Sequence, residues 1–313
     1  MTLERHRCKE ATKGQTCFIC MEGIKRRTGE GLVSGFCACR GGSSFAHVSC
    51  LAEQAKIVVE EAKANNLDDT RFPRWTTCDL CGQEYHGFVA HALGWASWKT
   101  YLGLPETAEL RHKAMYHVAH GLYEVSRCEE ALPVYETCLA NSQRLWPAQA
   151  GTQYYQLSAM TSIANCYTRL GRRDEALALE RLLYAQSKAL YGIEARETLI
   201  NALNLAKSLI HKDDVAEAKP LLRQNISRAR RSIGDDDDVT LDLRDLYAKV
   251  LVGVFVNGPG GASAAEDLRE GVTILEDIER RSRRVFGADH PQTLRYKKSL
   301  GLAREIFAFS ATK

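Results

Sequence analysis

The chain lacks any long apolar run. Its longest, VLVGVFV at residues 250–256, falls far short of the ~20 residues a helix needs to cross a bilayer, so no membrane span is expected. The opening residues, MTLERHRCKEATKGQ, lack the apolar core of a secretory signal. A strong net charge is missing too. The 42 Lys and Arg against 39 Asp and Glu leave only +3, far less basic than a dedicated nucleic-acid-binding domain, and no nucleic-acid partner is expected. The reading is a soluble protein of the cytoplasm or nucleus. At 313 residues two domains are the prior.

Cysteine is present, and its placement is uneven. Of eleven cysteines, eight fall in the first 81 residues. The other three, Cys128, Cys138 and Cys166, sit in helical-looking sequence and read as small apolar core residues. In a reducing compartment, clustered thiols point to metal rather than disulfides. Four pairs stand in order: Cys17 and Cys20 in TCFIC, Cys37 and Cys39 in CAC, His47 and Cys50 in HVSC, Cys78 and Cys81 in CDLC. A tight turn presents such a pair as two corners of a tetrahedron around zinc. Eight ligands fill two closed sites, which leave no open position for water. Both ions are therefore expected to be structural Zn2+. Redox dithiols fit poorly, because no βαβ pattern surrounds the pairs.

The order C-x2-C, C-x-C, H-x2-C, C-x2-C, with seven residues between Cys39 and His47, resembles the RING-CH (variant RING) zinc finger over residues 17–88. The resemblance implies a cross-brace. Cys17, Cys20, His47 and Cys50 would hold one zinc; Cys37, Cys39, Cys78 and Cys81 would hold the other. It also implies a ubiquitin ligase, a transferase that docks a ubiquitin-conjugating enzyme without a covalent intermediate of its own. The docking residues it implies are Ile19 and Leu80. Two positions depart from the family pattern: Gln54 stands where a tryptophan is usual, and Gly82 where a basic residue follows the last ligand. Trp75 is the candidate to replace the missing tryptophan. The helix read over LAEQAKIVVEEAKANNL, residues 51–67, carries Ile57, Val58 and Ala62 on its apolar side. The rival readings are a non-enzymatic zinc-stapled adaptor and, further off, a PHD-type histone-tail reader.

From residue 105 small residues recur at fixed spacing. Ala164, Glu175, Ala176 and Gly192 map onto Ala206, Glu217, Ala218 and Gly234 by a shift of 42, and Leu157 onto Leu199 and Leu241. Ala119, Glu130 and Ala131 match backward by 45; Glu217, Gly234 and Thr240 match Glu270, Gly287 and Thr293 forward by 53. The extra eleven residues fit a Gly-rich insertion, NGPGGASAAED, at 257–267. Two small residues 12 apart in each repeat let paired helices approach closely. The pattern resembles tetratricopeptide repeats, of the kinesin-light-chain variety by its long period and the segment GADHPQTL. The fold class expected is mainly α: a two-zinc finger followed by an α-solenoid of helix pairs, closing on a helix near 291–309.

Groove positions carried over from the repeat family are Tyr116, His120, Tyr123, Asn165, Arg169, Lys207, His211 and Lys249, a basic and aromatic set suited to an acidic or aromatic-acidic peptide or a free C-terminal carboxylate. His112, His117 and His120 are read as exposed helix-face histidines. GDDDD at 234–238 reads as helix capping, and RRSRR at 280–284 as a solvated helix end. No Gly/Ser/Pro linker joins the two parts. The aromatic stretch 84–104 is instead expected to pack the finger onto the first repeat. The domains expected are a tail at 1–16, a finger at 17–88, a connecting helix at 89–104 and repeats at 105–313.

Overall fold

The computed structural model describes residues 12–67, 69–146, 152–257, 262–288 and 290–310. The chain divides into two compact units, Met1–Leu170 and Gly171–Lys313. Among the described residues no helix is long and apolar enough to cross a membrane.

In the first unit a two-stranded antiparallel sheet, β1 (Val33–Ser34) and β2 (Phe45–Ala46), pairs Val33 with Ala46. Among the described residues five α-helices follow: α1 (Val48–Ala64), α2 (Gly87–Tyr101), α3 (Glu109–Glu124), α4 (Cys128–Leu145) and α5 (Thr152–Arg169), with a short 3-10 helix at Asp69–Trp75. Helix α1 buries Leu51, Ala55, Val59 and Ala62, spaced three or four apart as one helical face requires. The expected apolar face was rotated: Ile57 is 44% exposed and Val58 only half-buried. Partners decided this, because the core supplies them on the Leu51 side.

That core is continuous. Phe36, Leu51, Trp75, Tyr85, Val89, Leu93, Tyr101, Leu110 and Ala114 form one buried cluster, joining the cysteine-rich region to α2 and α3. Each large side chain removed from water contributes about 1.5–3 kcal/mol. Trp75 is 1% exposed, its ring edge-on to Tyr101 and its indole N–H donating to the Tyr101 hydroxyl at 3.2 Å. It is therefore a core residue and does not replace a surface tryptophan. Helices α2 and α3 cross at two glycines. A Cβ on Gly94 would stand 2.7 Å from the His117 carbonyl oxygen, and one on Gly121 2.6 Å from the Cα of His91. The backbones touch where the side chains are missing.

The second unit contains α6 (Arg173–Tyr191), α7 (Arg196–His211), α8 (Val215–Ser232), α9 (Asp238–Asn257), α10 (Ala262–Phe286) and α11 (Pro291–Ser310). Consecutive helices from α6 to α11 pack on one another, and α9 also touches α7 and α11. This alternation is that of tetratricopeptide-like helix pairs, and the fold is mainly α. The repeated alanines (119, 131, 164, 176, 206, 218) are all buried. The fourth pair, missed in the sequence, is Ala248 with Gly271, where an added Cβ would meet Val252 Cγ2 at 3.1 Å. Gly192, Gly234 and Gly287 follow the ends of α6, α8 and α10 with φ of 91°, 94° and 94°, a backbone open to glycine at little cost. Of the insertion at 257–267, residues 258–261 lie outside those described, as do residues 1–11 of the tail and Asp289 of GADHPQTL.

The acidic and basic runs pair with each other, which neither separate reading anticipated. Asp236 accepts from Arg281 at 2.8 Å and from Arg284 at 2.5 Å. Asp277 accepts from Arg244 and Arg281, both at 2.7 Å. Asp235 pairs with Arg230, and Asp238 with Arg196. The capping role is also present: the Val239 N–H donates to the Asp237 and Asp238 carboxylates, each at 2.9 Å.

Candidate metal centre

Two cysteine turns of the same build open and close the cysteine-rich region. In the first, the Met21 N–H donates to the Cys17 carbonyl at 2.8 Å and the Cys17 N–H to the Glu22 carbonyl at 2.9 Å. In the second, the Gly82 N–H donates to the Cys78 carbonyl at 2.9 Å and the Cys78 N–H to the Gln83 carbonyl at 2.8 Å. Each turn closes on a left-handed residue, Met21 at φ 62° and Gly82 at φ 68°. Between them, β1 and β2 fold the chain back. The Phe18 N–H donates to the Phe45 carbonyl at 3.1 Å and docks the first turn on β2. His47 then caps α1 with extended backbone, and Cys50 follows one turn inside the helix. The His86 N–H reaches the Phe36 carbonyl at 3.2 Å, and Phe36 packs on Tyr85 at 5.8 Å, drawing the last turn toward Cys37 and Cys39.

The result is two clusters. Cys17, Cys20, His47 and Cys50 form one; Cys37, Cys39, Cys78 and Cys81 form the other; within each, the ligand atoms lie within 4.8 Å of one another. The pairs interleave, first with third and second with fourth. His47 is fully buried and turns Nδ1 to the sulfurs, 3.3 Å from Cys20 Sγ and 3.7 Å from Cys50 Sγ. Cys39 Sγ and Cys78 Sγ are 3.7 Å apart. A tetrahedral zinc with bonds of about 2.0 Å to nitrogen and 2.3 Å to sulfur sets its ligand atoms about 3.5–3.8 Å apart. The donor sets and spacings fit that ion. Burial raises the Cys50 thiol to about 12 and the Cys39 thiol to about 11. A divalent cation among such thiols reverses that preference and favours thiolate.

No protein-family model matches the chain, and no curated protein matches it. Solved structures with some likeness include a putative kinesin light chain of Podosopora anserina with nearly identical TPR-like repeats. It has 15% identity over 76% of this chain and 95% of that one, with a TM-score of 0.48. BtubC (BKLC) from P. vanneervenii has 13% identity over 85% and 93%, with a TM-score of 0.45. Bacillus thuringiensis PlcR, in complex with the peptide PapR7 and DNA, has 13% identity over 78% and 74%, with a TM-score of 0.44. The helix pairing described above stands without them.

Around the clusters, Leu80 is 58% exposed and Ile19 partly buried against the core. Met21 and Ile24 are exposed as well. Of the groove positions, Tyr116, His120, Tyr123, Asn165 and Arg169 belong to the first unit. Tyr116 shares a hydrogen bond with Ser162 at 2.8 Å. Arg169 lies 3.5 Å over the Tyr123 ring and donates to the Tyr123 carbonyl at 2.7 Å. Lys207, His211 and Lys249 belong to the second unit and are exposed. Lys249 pairs with the buried Asp245 at 2.5 Å, whereas Lys207 makes no ion pair among the described residues.

Two of the three helix histidines are buried, contrary to the expectation of an exposed face. His117 is 2% exposed, 3.1 Å from Ser97 Oγ and edge-on to Phe72. Burial, with the neighbouring His120 adding, pushes it down to about 3. His112 is 4% exposed, edge-on to Trp146 and Tyr155, and burial lowers it too. Sequence had no means of showing this, since the rings that bury His112 lie 34 and 43 positions away. Cys128, Cys138 and Cys166 are buried as core residues.

Proposed function

We propose that the protein is a RING-CH-type ubiquitin ligase. Its interleaved clusters hold two structural zinc ions, its finger docks a ubiquitin-conjugating enzyme, and its helix pairs hold the protein to be modified. The observation that carries the reading is the interleaving of two four-ligand clusters, which supports a cross-brace. The ligands Cys17, Cys20, His47 and Cys50, and Cys37, Cys39, Cys78 and Cys81, act as staples. The working surface is the apolar one that the two cysteine turns display, with Ile19 in the first and the exposed Leu80 in the second. The finger contributes no nucleophile. It orients the partner's thioester toward an acceptor amine, which is catalysis by positioning. The helix pairs supply the second partner's surface. In the second unit Val252, Leu275 and Ile306 floor a cleft of about 860 Å³, which supports an apolar segment.

The test is ubiquitin-chain formation with a panel of conjugating enzymes. Wild type should build chains with at least one, and Ile19→Ala and Leu80→Ala should reduce the rate by tenfold or more with both zincs retained. No chains with any enzyme would reject the ligase reading. The buried position of Trp75 and the presence of Gln54 favour the second reading in that case, an interaction adaptor whose zinc serves folding alone. Metal analysis should return two zinc ions per chain under either reading.

A further inference from the structure

Helix α2 is apolar on two faces. Val89, Leu93 and Tyr101 are buried in the core shared with the cysteine-rich region, and Gly94 lies against α3. On the opposite side runs a second row: Phe88, Ala92, Trp95, Lys99 and Leu102, the last in helical backbone at the helix end. Phe88 is 64% exposed, Trp95 41% and Leu102 47%. Apolar residues exposed singly are ordinary. A row of them is not, because the outer face of a helix normally carries polar side chains. The intervals along the row are four, three, four and three residues. That alternation is the seam of a coiled coil, where side chains of one helix seat between those of another. From Phe88 to Leu102 the seam runs about 21 Å. Its spacing fits a helix as the covering element.

Charge narrows the choice of helix. Residues 85–105 contain no aspartate or glutamate. Lys99 stands exposed within the seam and makes no ion pair among the described residues. Arg111 adds a second cation, 6.0 Å over the ring of the adjoining Trp98, and donates to the Leu104 carbonyl at 2.8 Å. A second copy of this chain would bring another Lys99 and no acid, and like charges brought together at an interface oppose it. A lipid surface fits no better. An interfacial helix keeps a strongly charged face in water opposite its apolar one, whereas the face of α2 opposite the row is buried in the core. We infer that α2 docks an amphipathic helix of a protein partner, about four turns long, with apolar residues at the same alternating intervals and a carboxylate placed to meet Lys99. The row shares no residue with the cysteine turns or the groove positions, so this docking helix is additional to the proposed function and independent of it.

The experiment titrates the full, zinc-loaded chain against two fluorescently labelled peptides of about four turns, stapled to hold them helical. Both carry leucine at intervals of four and three. One has glutamate beside the central leucines, the other lysine. Anisotropy should show saturable binding of the glutamate peptide, and binding of the lysine peptide weaker by about fivefold or more. Trp95→Ser, at the centre of the row, should weaken the glutamate peptide by about tenfold or more, as truncating a central tryptophan does. Lys99→Glu, at an exposed position, should reverse the order of the two peptides, which damage to the fold would not do. Absence of saturable binding by both peptides overturns the inference, as does equal binding of the two, or an order that Lys99→Glu leaves unchanged. A wild-type dimer in sedimentation that Trp95→Ser dissociates would overturn it in favour of a second copy. Binding to phosphatidylserine vesicles that Trp95→Ser abolishes would overturn it in favour of a lipid surface.

Discussion

Gly82 is the residue where local chemistry and the proposed activity compete. It stands where a basic residue follows the last ligand in the family resembled, and its φ of 68° closes the cysteine turn. Met21 holds the same place in the other turn at φ 62° and bears the left-handed strain of a non-glycine residue, about 1–2 kcal/mol. Gly82→Ala should therefore lower the finger's stability by about that amount, and Met21→Gly should raise or leave it, read as the chelator concentration at half unfolding. His117 makes a second prediction. Its ordinary value of 6.5 falls to about 3 in the folded chain, so the unfolded chain binds the proton first. The contribution is complete above pH 6.5 and is lost as pH falls toward 3, about 1.4 kcal/mol of it by pH 5.5. Thermal unfolding at pH 7.5 and 5.5 should show His117→Leu with a smaller pH-dependent loss than wild type. An equal loss in both would place the acid sensitivity elsewhere, first of all in the cysteine clusters. The members of the two clusters were legible in the sequence because a cysteine turn is local: two residues between thiols suffice to set their spacing. The neutral histidines were not, because desolvation belongs to neighbours distant in sequence.

At the scale of elements, close approach and charge pairing govern the packing. The α2–α3 crossing depends on Gly94 and Gly121, each facing backbone that has no side chain to swing away. Gly121→Ala should cost about 1–3 kcal/mol as overpacking and lower the unfolding midpoint, while Gly103→Ala, with open space around its Cα, should not. The repeated alanines were readable because the same crossing recurs within each unit, in α3 with α4 and in α7 with α8. The Gly94–Gly121 crossing occurs once, so no period announced it. The charge runs teach the converse. Read singly, GDDDD is a cap and RRSRR a helix end; folded, α9 begins beside the last turns of α10. Asp277, whose carboxyl is held well below the usual carboxylate range against burial by Arg244, Arg281 and Arg280, sits at the centre. Asp277→Asn should cost about 1–3 kcal/mol and leave the mostly buried Arg244 without a counter-charge. Chemical denaturation of the second unit at low and high salt measures it, and an effect that vanishes at high salt would reduce the cluster to a surface feature.

At the scale of the whole molecule, the two units should answer differently to metal removal. The first unit holds both clusters and the core joined to them, so a strong chelator should unfold its cysteine-rich region and loosen α2 and α3. The second unit has no cysteine or cluster of its own among the described residues and should keep its helices. Backbone amide exchange, mapped by residue after chelation, measures this; uniform loss of protection in both units would contradict it. The fold class and the helix periods were visible in sequence at this scale, since small residues at repeated intervals encode them. The continuity of the first core was not. Trp75 looks like a surface residue of a finger until Tyr101, 26 positions later, accepts its indole proton. That single bond bears on heredity as well as on stability. A gene exchange that cut after residue 88 would strand Trp75 and Tyr85 in water and leave α2 without its floor. The cysteine-rich region could not travel as a free cassette in its present form, because α2 and the start of α3 complete its core.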